Sequence, residues 1–246
     1  MRFPVRISAS LVAVVALALC SAQTYAQTPS SSSSSSSSTA GPTQTPAAAN
    51  NPYIAIDPLA LVRYDNRFDV SLGLAYDHMK AGPTLLQGSN LGGLDLEGSY
   101  WLTKHWGVEG STRYYLGTSG AAPNNVSIKG PFVSENFFVG GAEWLGPHNK
   151  HGALIAHAMF GGVYGDFEKD LRGNSPSVVD FYNNQIAPAG IIGGHMDLNR
   201  SARWVFRITP DAVITRYGIN YGPKTTATDV NFALSVGIEY KFKKKR

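Results

Sequence analysis

From Val230 to Phe242 the chain alternates without a break. Val230, Phe232, Leu234, Val236, Ile238, Tyr240 and Phe242 fall on one face, and Asn231, Ala233, Ser235, Gly237, Glu239 and Lys241 on the other. Successive side chains of a strand point to opposite sides, so this run predicts a strand with one apolar and one polar face. A face meant for water is usually studded with charge. Here the polar face is small, with Glu239 and Lys241 its only charges, which suits a crowded interior. Apolar side to lipid and polar side to a lumen is the arrangement of a membrane-spanning barrel.

The same theme recurs from about Arg67, giving eight segments and no helical pattern of comparable length. Phe68 to Tyr76 places Phe68, Val70, Leu72, Leu74 and Tyr76 outward, with Asp69, Ser71, Gly73 and Ala75 inward. Leu94, Leu96, Tyr100 and Leu102 oppose Asp95, Glu97 and Ser99. Val108, Thr112, Tyr114 and Leu116 oppose Glu109, Ser111 and Arg113. Phe138 and Trp144 oppose Glu135 and Glu143. The fifth segment, Ala153 to Val163, sets Leu154, Ala156, Ala158 and Phe160 against Ile155, His157 and Met159. The sixth sets Ile192, Met196 and Leu198 against His195 and Asp197. The seventh opens with Trp204, Phe206 and Ile208 against Arg207. Pro210 cannot donate a ladder hydrogen bond, which predicts a bulge or kink beside it.

The connections alternate in length. Thr103–His105, Gly146–His151 and Asn199–Ala202 are short; His78–Gly92, Gly117–Phe132, Gly165–Ile186 and Gly218–Thr228 are long. Short turns on one rim and long loops on the other predict periplasmic turns and extracellular loops. The four tryptophans all lie beside short turns. Trp106, Trp144 and Trp204, with Tyr240 and Phe242, predict a lower aromatic girdle; Trp101 has interior parity. Tyr76, Tyr114, Tyr115, Tyr164 and Tyr217 predict an upper one.

Residues 1–26 read as an export signal. Arg2 and Arg6 precede an apolar stretch from Ile7 to Cys20, and Ala22 and Ala26 offer small residues for cleavage. The stretch is short for a spanning helix. Cys20 is the chain's only cysteine, so the mature chain is expected to form no disulfide. Residues 27–61 contain the serine run Ser30–Ser38 followed by Thr, Pro and Ala, and predict a disordered periplasmic tether. The barrel is expected over residues 62–242, with residues 243–246 a basic tail. The net charge is +4, and four of the positive charges sit in Lys243–Arg246. Such a distribution argues against nucleic-acid binding and places the tail among anionic head groups or periplasmic groups.

With these features the chain resembles the small OmpA-type outer-membrane barrels, a group that includes OmpX-like and OmpW-like proteins. The resemblance covers about Arg63 to Phe242. It rests on the strand and loop pattern and on Gly237-Ile-Glu-Tyr-Lys-Phe242. That ending is similar to the aromatic-terminated strand read by the barrel-assembly machinery, although here four basic residues follow it. The resemblance implies an all-β, eight-stranded antiparallel barrel in the bacterial outer membrane. It implies lipid, lipopolysaccharide and the assembly machinery as partners. The resemblance is to the members without the long peptidoglycan-binding domain of the larger relatives, so no wall-anchoring role is expected.

No nucleophile–histidine–acid arrangement, metal-spaced His/Cys cluster or phosphate loop stands out, so no catalytic residue, metal or cofactor is expected. The paired glycines Gly140-Gly141, Gly161-Gly162 and Gly193-Gly194 read as relief of crowding. Glu97, Glu109, Arg113, Glu143, His157, His195, Arg207, Glu239 and Lys241 share interior parity and predict a charged network across a narrow lumen. Eight strands enclose a bore that side chains can fill. The expectation is a monomeric structural or surface-interaction protein, with a narrow channel the first alternative and a lipid-modifying enzyme the second.

Overall fold

The computed structural model describes residues 57–85, 88–119, 130–220 and 226–242. The expected export signal, the serine run and the Lys243–Arg246 tail lie outside them. Eight strands follow in order: β1 (Phe68–Met79), β2 (Ser89–Trp101), β3 (Trp106–Thr118), β4 (Phe132–His148), β5 (Gly152–Asp166), β6 (Gln185–Asn199), β7 (Trp204–Gly218) and β8 (Thr226–Lys241). Each pairs antiparallel with the next, and β8 returns to β1 to close the barrel. Closure leaves no unpaired strand edge.

The alternation sets which way each strand faces. Along β3 every second residue from Gly107 to Gly117 points inward, and along β7 every second residue from Val205 to Tyr217 is buried. Leu74 and Phe160 are each 72% exposed on the outside. Asp77, Glu135 and Glu143 are wholly enclosed inside. A soluble protein would show the reverse; an apolar exterior around a polar interior is stable only with lipid outside.

Pro210 brings no bulge. The β7–β8 register runs unbroken through Pro210 opposite Leu234. On the other side the β6–β7 ladder lapses between Gly193–Asp211 and Met196–Ile208, then resumes in the same register. The proline faces outward, so only its missing N–H is felt, and the lapse accommodates that. The register does shift elsewhere, between Leu145 and His148 where β4 meets β5.

The three short turns share one device. A side-chain oxygen at the start of each turn accepts from backbone N–H groups ahead: Thr103 Oγ1 from Trp106 at 2.9 Å, Asn149 Oδ1 from His151 at 2.7 Å, and Ser201 Oγ from Trp204 at 3.1 Å. Two of these turns deliver a tryptophan to the rim. Trp106 faces Trp144 across β3–β4, and Trp204 faces Tyr240 across β7–β8. Ring contacts continue from Tyr240 to Phe242 and on to Phe68. Trp204, Tyr240, Phe242 and Phe68 thus form one run of ring contacts across β7, β8 and β1, while Trp106 and Trp144 form a separate pair on β3 and β4. The upper girdle is smaller than expected. Tyr76, Tyr114 and Tyr164 face out, but Tyr115 and Tyr217 are buried in the bore. They share parity with Arg113 and Arg207, which alternation would have revealed.

Candidate functional site: the filled bore

The bore is packed in three levels. At the lower rim, Tyr64, from the segment preceding β1, lies under the barrel. Its hydroxyl accepts from Asn199 Nδ2 at 2.7 Å and donates to the Asn149 carbonyl at 3.2 Å. Lys241 Nζ sits 4.4 Å above its ring. Trp101 turns inward beside it, and its Nε1 donates to Asp69 Oδ2 at 2.7 Å.

The middle level is a network of charges. Arg113 on β3 donates from Nη1 to Asp211 at 2.6 Å and from Nη2 to Glu97 at 3.0 Å; its Nε lies 3.2 Å from Asp95. Arg207 on β7 grips Asp197 with Nε and Nη2 at 2.8 and 3.1 Å, and its Nη2 lies 3.0 Å from Glu239 Oε2. Arg207 Nη1 also stands 3.5 Å from Glu97, so Glu97 links the two arginines. His157 on β5 and His195 on β6 meet edge to face, with ring centroids 4.5 Å apart, and Glu109 on β3 stands against both. Glu143 accepts from Ser99 Oγ at 3.2 Å.

All nine residues expected inside are there: Glu97, Glu109, Arg113, Glu143, His157, His195, Arg207, Glu239 and Lys241 are buried. Glu143 and Lys241 stand apart from the arginine clusters, held by Ser99 and by Asn199 and Tyr64. Four further acids complete the network: Asp69, Asp95, Asp197 and Asp211. The first three have the parity of neighbours already identified. Asp211 follows Pro210, and expecting a bulge there hid its direction. The three permanent cations among these groups are Arg113, Arg207 and Lys241, facing eight acids: Asp69, Asp95, Glu97, Glu109, Glu143, Asp197, Asp211 and Glu239.

The upper level is an apolar cluster that also encloses the carboxyl groups of Asp77 and Glu135. Phe167, Leu171, Phe181 and Tyr182, all from the connection between β5 and β6, fold over the mouth onto Tyr217, Val163 and Leu91. The Phe167 ring meets Tyr217 and Tyr182 at 5.3 and 5.6 Å. Tyr217 donates its hydroxyl to Glu135, and Tyr182 donates to Asp229 at 2.5 Å. Sequence patterning does not foresee this cap, because the connection carries no alternation.

No family model matches the chain, and no curated protein matches it. Solved structures do align. Ail, the attachment invasion locus protein of Yersinia pestis, solved with the heparin analogue sucrose octasulfate, is 17% identical. The alignment covers 72% of this chain and 99% of Ail, with a TM-score of 0.41. Neisserial surface protein A is 14% identical over 71% of this chain and 97% of its own, with a TM-score of 0.42. OprG of Pseudomonas aeruginosa is 11% identical over 73% and 97%, with a TM-score of 0.44. Eight closed strands, an apolar exterior over a charged bore, aromatic rims and alternating short and long connections make this chain a small β-barrel of the outer-membrane type.

Proposed function

We propose that the protein sits in the bacterial outer membrane as a sealed, non-enzymatic barrel with a structural or surface-interaction role. The filled bore supports this reading most strongly: Tyr64 and Trp101 close the lower end, two arginine clusters span the middle, and an aromatic cap covers the top. Isolated charges in such a space are costly, so the pairs hold one another in place and resist being pulled apart by passing ions. The long connections then form the extracellular face. The turns, the segment before β1 and the end of β8 face the periplasm. Lipid and lipopolysaccharide would contact the outer face of a single chain, and the assembly machinery would engage Gly237–Phe242.

Planar-bilayer recording tests the reading. The purified barrel is expected to give no steady open conductance. A large, lasting open state would replace it with the narrow-channel reading.

A further inference from the structure

Within the charged middle level, one cluster is built differently from the rest. His157 Nδ1 lies 3.0 Å from Glu109 Oε2 and 3.1 Å from His195 Nε2, and His195 Nε2 lies 3.3 Å from Glu109 Oε1. Two imidazole nitrogens and both oxygens of one carboxylate, from β5, β6 and β3, thus crowd together, and one ligand atom from each residue lies within 4.8 Å of the others. All three side chains are fully enclosed.

The far side of each ring is also occupied. His157 Nε2 donates to Asp211 Oδ1 at 2.8 Å, and His195 Nδ1 bonds Thr209 Oγ1 at 2.9 Å. With its proton on Nε2, a neutral His157 turns the Nδ1 lone pair toward Glu109 and His195. Either a shared proton or a metal ion between these atoms would hold them at such distances. Glu109 Oε1 has no hydrogen-bond partner among the described residues, yet it is buried and aimed at this point. Around a tetrahedral ion with ligands about 2.0–2.1 Å away, neighbouring ligand atoms stand about 3.3 Å apart. The three separations, 3.0, 3.1 and 3.3 Å, are close to that length, with the two carboxylate contacts made by different Glu109 oxygens. A carboxylate and a hydroxyl behind the two imidazoles are the supports that orient metal-binding histidines.

We propose that Glu109, His157 and His195 form a site for a divalent transition-metal ion of Zn2+ type, which ties β3, β5 and β6 together across the bore. Borderline-soft ions take two imidazoles and a carboxylate readily. The site is enclosed, so the ion enters as the barrel closes. No spacing in the sequence announces it, because the three ligands come from strands that only closure brings together.

The test uses the full chain, refolded into detergent micelles with either EDTA or Zn2+ and then passed over chelating resin. One zinc retained per chain is expected, with thermal unfolding about 5 °C or more above that of the EDTA-refolded form. Refolding with Co2+ should give visible d–d bands of a low-symmetry nitrogen–oxygen site. Glu109→Gln and His195→Ala should each lose the retained metal. His105→Ala/His148→Ala, which removes two histidine rings lying 6.2 Å apart beside the short turns, should keep it. Retention that survives Glu109→Gln, or vanishes with the surface pair, would overturn the assignment. If His195→Ala does not fold, the wild-type cobalt spectrum decides: no bands and no retained metal mean that a shared proton holds the two rings.

Discussion

Gly193 faces the bore between His157 and Asp211. A Cβ built there would stand 1.9 Å from Asp211 Oδ1 and 2.5 Å from the Pro210 carbonyl. The missing side chain is what lets Asp211 reach both His157 and Arg113. Gly193→Ala should therefore destabilise the barrel by about 1–3 kcal/mol, the usual cost of overpacking. Gly110→Ala, with nothing within 4 Å of its Cβ, serves as the neutral control. Urea unfolding in lipid vesicles measures both. Arg207 offers a second measurement. Its two bonds to Asp197 are directed and parallel, whereas its approach to Glu239 is a single contact. Double-mutant cycles should give a larger coupling for Arg207 with Asp197 than with Glu239, within about 0.5–3 kcal/mol. Equal couplings would mean that the charges act as a diffuse cloud rather than as pairs.

At the level of the strand, β8 puts neighbours in opposite solvents. Leu234 faces out, and Ser235 faces in, where its hydroxyl donates to Asp95 at 2.8 Å. Leu234→Arg should cost about 2–4 kcal/mol if it lies near mid-membrane. Ser235→Arg replaces a hydrogen bond with a cation beside Asp95, and its cost is steric. Folding yields in vesicles of increasing acyl length should separate them, because only the outward arginine senses the bilayer. Such parity was legible in the sequence, since side chains alternate strictly and only one face of each strand is apolar. Strand ends were less so: β4 and β5 run on through Gly146 and Gly165, leaving only Asn149–His151 between them. Glycine reads as a breaker in a sequence, yet a narrow barrel needs it where backbones approach closely. What pairs with what across the bore was not legible either. Alternation reports a direction, while Glu109 meets His157 only because β3 and β5 curve around the same axis.

For the whole molecule, orientation is open to direct measurement. Cys20 is the only cysteine and falls in the expected signal, so a single introduced thiol reports its own position. Val178→Cys on the cap between β5 and β6 should react with an impermeant reagent on intact cells, and Lys150→Cys in the turn between β4 and β5 should not. The opposite pattern would invert the barrel. The alternation that builds the exterior also bears on how such a chain reaches its membrane. Each lipid-facing residue is followed by one meant for the bore, so no strand offers the roughly eighteen consecutive apolar residues that mark a spanning helix. An unfolded chain of this kind would pass a secretion channel without being released sideways into the first bilayer it meets. Its affinity for lipid is a property of the closed cylinder, absent from the thread, and so the same residues can be secreted through one membrane and retained by the next.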